Sequence, residues 1–180
     1  VDHWFFMPAV GKPRKLSPQA AGQAFLGSDF TFADLIREMP AVHDYEMRPE
    51  AIRERQKCHV VRAREKEDGN SPYGYRDLYI NNESSRIVSI DFFDRDQKLV
   101  KTLTSQEYGS REVKGKTKRP RFAKMDDHTD GSKTYFKLLE SHLDVDFPDD
   151  PFDPEVIANW DKLDVDAFVQ NYGMVIKADG

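Results

Sequence analysis

A chain of 180 residues with a formal charge of -5 has the length of one domain with a proper core. Its acidity argues against a general nucleic-acid binder, which carries a basic balance. No stretch approaches the ~20 apolar residues of a membrane-spanning helix, and no charged start followed by an apolar run marks a signal peptide. The 12 Phe and 7 Tyr lean toward sheet, because aromatic side chains fit a pleated surface. Cys58 is the single cysteine, so no intrachain disulfide can form, and it reads as a buried strand residue.

In chain order, His3 to Met7 alternates as a strand ended by Pro8 and the Gly11-Lys12-Pro13 turn. Arg14 to Leu16 returns, and Ser17 to Gly22 is loop. A dense aromatic stretch follows, Phe25-Leu26-Gly27-Ser28-Asp29-Phe30-Thr31-Phe32-Ala33-Asp34-Leu35. Gly27 permits a sharp turn, and Thr31 with Asp34 approximates a capping box. The helix it starts is short, because Pro40 disfavours helical geometry at Met39. A short helix with such an apolar load must lie against something apolar, as a plug or lid on a sheet.

Val42 to Met47 alternates as a strand whose end Pro49 marks, and Lys57 to Ala63 is the next. Asp68-Gly69-Asn70 is a hairpin-type turn signal. Tyr75 to Ile80 closes at Asn81-Asn82. Arg86 to Asp94 is the best strand, with Val88, Ile90 and Phe92 on one face. Asp94-Arg95-Asp96-Gln97 turns it into Leu99 to Gln106. Lys116 to Met125 and Lys133 to Leu143 form a hairpin around Asp130-Gly131. Asp153-Pro154-Glu155 starts a helix, and Asp164 to Tyr172 carries a second helical stripe.

Strand-turn-strand units with short helices between them predict an α+β fold: one large, curved antiparallel sheet with a few short helices on one face. Strands 3–7 and 87–93 carry large apolar residues on both faces. Two explanations stay open: helices and loops covering the two faces, or a sheet curled round a greasy hollow.

The run Trp4-Phe5-Phe6-Met7-Pro8-Ala9, then Arg14-Lys15-Leu16, then Phe25 to Phe30 ending in Asp34-Leu35, resembles the LolA-like outer-membrane lipoprotein-sorting proteins. Phe92-Phe93-Asp94, Leu99-Val100-Lys101-Thr102-Leu103, Lys133-Thr134 and Phe152 match later landmarks. Phe6 stands where the family has Tyr, and Lys15 replaces an arginine. The resemblance covers residues 1–158 and leaves 159–180 as a C-terminal extension, read as helical. It implies an incomplete β-barrel closed by helices over an apolar cavity, here without the N-terminal strands that family members carry. It further implies a periplasmic carrier of a lipoprotein acyl chain or other lipid, with no cofactor and no catalytic step. Trp4, Phe6, Phe25, Phe30, Phe32 and Leu35 are the candidates for the hollow or its lid, and each is also what an ordinary core contains. An open edge left near residues 1–9 predicts a homodimer through strand pairing.

Other clusters carry less chemistry. Asp126, His128, Asp130 and Gly131 begin like a calcium loop, but its twelfth place is Lys137, where a bidentate acid is required. Asp130-Gly131 is better explained as a hairpin tip, and no metal site is predicted. The acidic stretch Asp144, Asp146, Asp149, Asp150, Asp153 and Glu155 reads as a solvated connection. Arg111, Lys114, Lys116, Lys118, Arg119, Arg121 and Lys124 form a basic cluster. It reads as a protected sheet edge, or else as a patch for lipid phosphate or an acidic partner, with RNA or DNA a third choice. The alternative to the carrier is a non-catalytic accessory protein of a cell-envelope lipid exporter, with an envelope membrane-protein partner. No serine elbow or paired-histidine motif points to an enzyme.

Overall fold

The computed structural model describes residues 3–6, 12–36, 40–66, 71–108 and 120–137. Several expectations fall outside them: Met7 and Pro8, the Asp68-Gly69-Asn70 turn, Arg111 to Arg119, the strand beyond Lys137, the acidic stretch, both C-terminal helices and the 159–180 extension. The chain divides into two compact units, Val1–Ser17 with Leu138–Gly180, and Pro18–Lys137.

In the first unit, β1 (Trp4–Phe5) pairs antiparallel with β2 (Arg14–Lys15), Trp4 opposite Lys15. The Leu16 N–H donates to the His3 carbonyl at 2.9 Å and closes the ladder. The strand read over His3 to Met7 and the return read over Arg14 to Leu16 appear here as two-residue strands.

The second unit is a seven-stranded antiparallel meander. Its strands are β3 (His43–Arg53), β4 (Gln56–Glu65), β5 (Tyr75–Asn81), β6 (Ile87–Phe93), β7 (Leu99–Tyr108), β8 (Pro120–Asp127) and β9 (Lys133–Lys137). Each pairs with its sequence neighbours, and β3 and β9 end the sheet without pairing to each other. The sheet is therefore unclosed, as expected. Helix is scarce among the described residues: a four-residue α1 (Phe32–Leu35) and two 3₁₀ turns, Pro18–Ala20 and Pro40–Val42. None of these is long and apolar enough to cross a membrane.

Turn chemistry places most of the strand ends. Gln97, at φ 64°, lies in the β6–β7 turn, where Lys98 N–H donates to the Asp94 carboxylate at 2.8 Å. Gly131, at φ 81°, turns β8 into β9, the hairpin tip read from Asp130-Gly131. Gly74 has a different reason to be glycine. A Cβ there would sit 2.5 Å from the Asp94 carbonyl oxygen, a backbone contact that cannot yield.

Two strand expectations are corrected. Pro49 does not end a strand, because β3 runs on to Arg53 with a bulge between Arg48 and Ala51. An end strand tolerates proline, whose missing N–H has no ladder partner to serve. The real turn is Glu54-Arg55, both at positive φ (46° and 61°), a I′-like hairpin without Gly or Asn. Val88, in turn, does not share a face with Ile90 and Phe92. The pairs Tyr79–Ser89 and Ile80–Ile87 leave it as an extra residue on β6. The bulge turns it into a cluster with Cys58, Val60 and Tyr79.

The register sets two rows of opposite character back to back across the sheet. Directly paired residues share a face, so Met47, Val61, Leu78, Ile90, Leu103, Met125 and Thr134 form one row across all seven strands. One residue along each strand, Glu46, Arg62, Asp77, Asp91, Thr102, Asp126 and Lys133 form the next row, on the opposite face. The first row is thus apolar from the first strand almost to the last and the row behind it is polar throughout, while Cys58, Val60, Tyr79 and Val88 bury an apolar cluster beside that polar row.

Candidate functional site

The plug begins as a miniature hairpin. Ala24 bridges Thr31, and Phe25 N–H donates to the Phe30 carbonyl at 2.7 Å. Leu26 and Gly27 occupy its tip at φ 52° and 74°. Nothing lies within 4 Å of a Cβ built on Gly27, so glycine serves the turn angle there and not close packing. The Ser28 hydroxyl donates to the Phe25 carbonyl at 2.6 Å and tightens the loop. Leu26 is left 64% exposed.

Beyond the hairpin, α1 starts as the Thr31–Asp34 spacing predicts. The Asp34 carboxylate accepts the Thr31 N–H at 2.7 Å and its hydroxyl at 2.9 Å. It also accepts the Tyr73 hydroxyl at 3.1 Å, tying the helix start to the approach of β5. The helix ends at Ile36, whose ψ of 134° is extended, before Pro40 has any influence.

Phe30 is what the plug delivers to the sheet. It is buried with Phe92 and Met125, and Phe25, Tyr73, Ile90, Val100 and Leu103 pack around them. Phe32 meets Phe25 edge-to-face at 5.5 Å. The plug therefore covers the β6–β8 part of the apolar row. At the β3 end of the same row Met47 is 65% exposed, with Tyr45 exposed beside it.

A polar contact fixes the other side of the plug. Asp29 N–H donates to Thr134 Oγ1 at 2.9 Å, and the Thr134 hydroxyl donates to the Asp29 carboxylate at 2.7 Å. The Ser132 hydroxyl reaches the same carboxylate, and Lys101 Nζ donates to the Asp29 carbonyl at 2.6 Å. Oxygens of Asp29, Asp127 and Asp130 lie within 4.8 Å of one another. Lys101, 3.7 Å from Asp127, supplies positive charge to this group. The Ser132 hydroxyl and N–H hold Asp130 below the usual carboxylate range. The cluster thus has hydroxyl and ammonium partners from the chain itself.

The opposite face carries a network of paired charges beside the Cys58–Val60–Tyr79–Val88 cluster. Asp91 accepts from Arg53, from the Tyr79 hydroxyl at 3.0 Å and from the Thr102 hydroxyl at 3.0 Å. Arg62 grips Asp77 through two 2.8 Å bonds and stacks 3.9 Å over the Tyr75 ring. His128 Nε2 lies 2.9 Å from Thr102 Oγ1, so the histidine of the calcium-loop-like run joins this network through a threonine.

Of the residues chosen from sequence, Phe25, Phe30 and Phe32 come together on the apolar face, while Leu35 is exposed. Trp4 is exposed and Phe6 half-buried in the first unit. Sequence reasoning missed Tyr73, Leu103 and Met125 as partners of Phe30. Alternation marks Leu103 and Met125 as inward, but Tyr73 lies in no strand and carries no periodic signal.

Burial, and then the charge of Asp34, push the Tyr73 phenol far above its ordinary range. The fold thus holds this proton more tightly than the unfolded chain. Tyr73's contribution is whole below pH 10, the ordinary tyrosine value, and falls as pH climbs beyond it. Tyr73→Phe is expected to lose about 1 kcal/mol at neutral pH and to show a shallower alkaline decline. Urea midpoints of both proteins from pH 7 to about 11 check this; parallel curves would contradict it.

A family model with the description "Uncharacterized protein" matches residues 1–159. No curated protein matches the sequence. Among solved structures, a domain described as an outer-membrane lipoprotein-sorting protein from Vibrio parahaemolyticus superposes with a TM-score of 0.79 at 22% identity, over 87% of this chain and 66% of its own. A DUF1329 family protein from Desulfovibrio piger gives 0.77 at 19%, over 87% and 64%. A LolA superfamily protein from Nitrosomonas europaea gives 0.58 at 22%, over 84% and 66%. The fold is LolA-like, and the chain spans about two thirds of the length of each of these structures.

Proposed function

Since the chain belongs to the uncharacterized-protein family matched over residues 1–159 and has a LolA-like fold, we propose that it is a non-catalytic carrier. Its cargo is a lipoprotein acyl chain or another lipid, held on the apolar face for transfer toward the outer membrane, and its compartment is the periplasm. The observation that carries this reading is the row from Met47 to Met125: six apolar residues on six successive strands, plugged at one end and exposed at the other. Met47 and Tyr45 stand in solvent at the end of that row, where a bound chain would cover them. A chain laid along it gains about 0.8 kcal/mol per buried methylene. Roughly ten methylenes supply about 8 kcal/mol before the ordering costs that reduce it.

Titration of the delipidated protein with cis-parinaric acid tests the proposal. Saturable uptake is expected, weakened at least about tenfold by Met47→Glu, because an unpaired charge would be desolvated under the chain. No uptake by the full chain, or uptake indifferent to Met47→Glu, would defeat it.

A further inference from the structure

We infer that Asp29 is a positioning residue for the carrier site, and that the Ser132–Thr134–Lys101 clasp around it sets how readily the apolar row opens. This rests on the carrier reading and adds its control. The plug meets the sheet in two unlike ways. Its apolar seal comes from Phe30 and Phe25, while its exposed flanks, Leu26 at the hairpin tip and Leu35 on α1, leave large apolar groups in solvent. Apart from the Asp34–Tyr73 bond at the helix start, its polar hold rests on Asp29, which offers carboxylate, N–H and carbonyl to three side chains more than 70 positions away.

That hold is not overbuilt. One Ser132 hydroxyl lies between the Asp29 and Asp130 carboxylates, within bonding distance of both, and its single proton can serve only one at a time. Lys101 is the ammonium shared by the Asp29 carbonyl and the Asp127 carboxylate. The clasp thus brings three carboxylates together, and their mutual repulsion opposes the hydroxyl bonds that keep Asp29 in place. Because Thr134 continues the apolar row past Met125, letting go of Asp29 frees the plug at the row's β9 end.

The test compares the full chain with the Ser132→Ala/Thr134→Val double variant, using Thr134→Ser as the conservative control. Two quantities are read: amide hydrogen exchange of residues 23–35, and the association rate of cis-parinaric acid. Loss of the two hydroxyl bonds to a charged group is expected to speed exchange in 23–35 by about tenfold or more. Probe association should quicken with it, and exchange in β4–β6 should hold steady. Thr134→Ser should behave as the parent. Unchanged exchange in 23–35, or exchange rising equally through the whole sheet, would overturn the clasp. Should the double variant lose the fold, Ser132→Ala alone, which leaves Thr134 in place, is read by the same criteria. Faster exchange with no probe uptake by any form, parent included, would leave the clasp standing and refute the carrier.

Discussion

Phe92→Ala is expected to destabilise the protein by about 3–5 kcal/mol, the range for emptying a buried phenylalanine site. Phe92 is among the most deeply buried large side chains described. Its ring lies 4.7 Å from that of Tyr73, and Phe30 and Met125 pack beside it. No neighbour can refill the space without leaving its own place: Met125 is held in mid-strand on β8 and Phe30 at the base of the plug. For a chain of this size the loss corresponds to a drop of about 10 °C in Tm. Urea unfolding measures it as a lower midpoint at unchanged slope. The substitution also reports on function, because Phe92 is where the plug meets the apolar row. A loss below about 1 kcal/mol would mean that Phe30 does not seal against the sheet, and the description of 23–35 as a plug would fail with it.

The second large effect lies on the opposite face. Arg53→Met is expected to cost about 2 kcal/mol. Breaking a buried ion pair by removing one partner typically costs 3–5 kcal/mol. Here the Arg53 side chain is 40% exposed, and solvent screening reduces that figure. The hydroxyls of Tyr79 and Thr102 also stay bonded to Asp91. The penalty arises from the stranded carboxylate, since the Asp91 side chain is only 4% exposed, and not from the lost guanidinium alone. Removing both charges should therefore be milder than removing one. In a double-mutant cycle, Arg53→Met/Asp91→Asn is expected to recover a good part of the single-variant loss. Strict additivity would show that the pair is not coupled.

These expectations draw on two kinds of information in the chain. The local kind was readable directly. Gly27 at the hairpin tip, Thr31 with Asp34 at a helix start, the Asp94 to Gln97 turn and Gly131 at the β8–β9 tip each follow from what a few adjacent residues permit their own backbone. Ile90 and Phe92 announce an inward face by alternation alone. Even there, local reading had limits. Glu54-Arg55 turns with no turn-forming residue, and Pro49 lies inside a strand because that strand ends the sheet, a position no neighbouring residue encodes. Val88 changes face because a bulge shifts its register against β5, a property of two strands and not of one.

The candidate site divides in the same way. Phe25, Phe30 and Phe32 stand out as an apolar load too heavy for a loop, whereas nothing local to Asp29 marks its role, and its partners Ser132 and Thr134 lie 103 and 105 residues away. Composition, alternation and turn residues by themselves determined that this chain makes an antiparallel sheet carrying an aromatic plug, because those signals act over a few bonds. Only the tertiary structure decided that seven positions on seven strands align into a single row, with a charge-paired row behind it and Asp29 clasped at one end. Register is a relation between strands, and the side chains that meet across it share no local pattern.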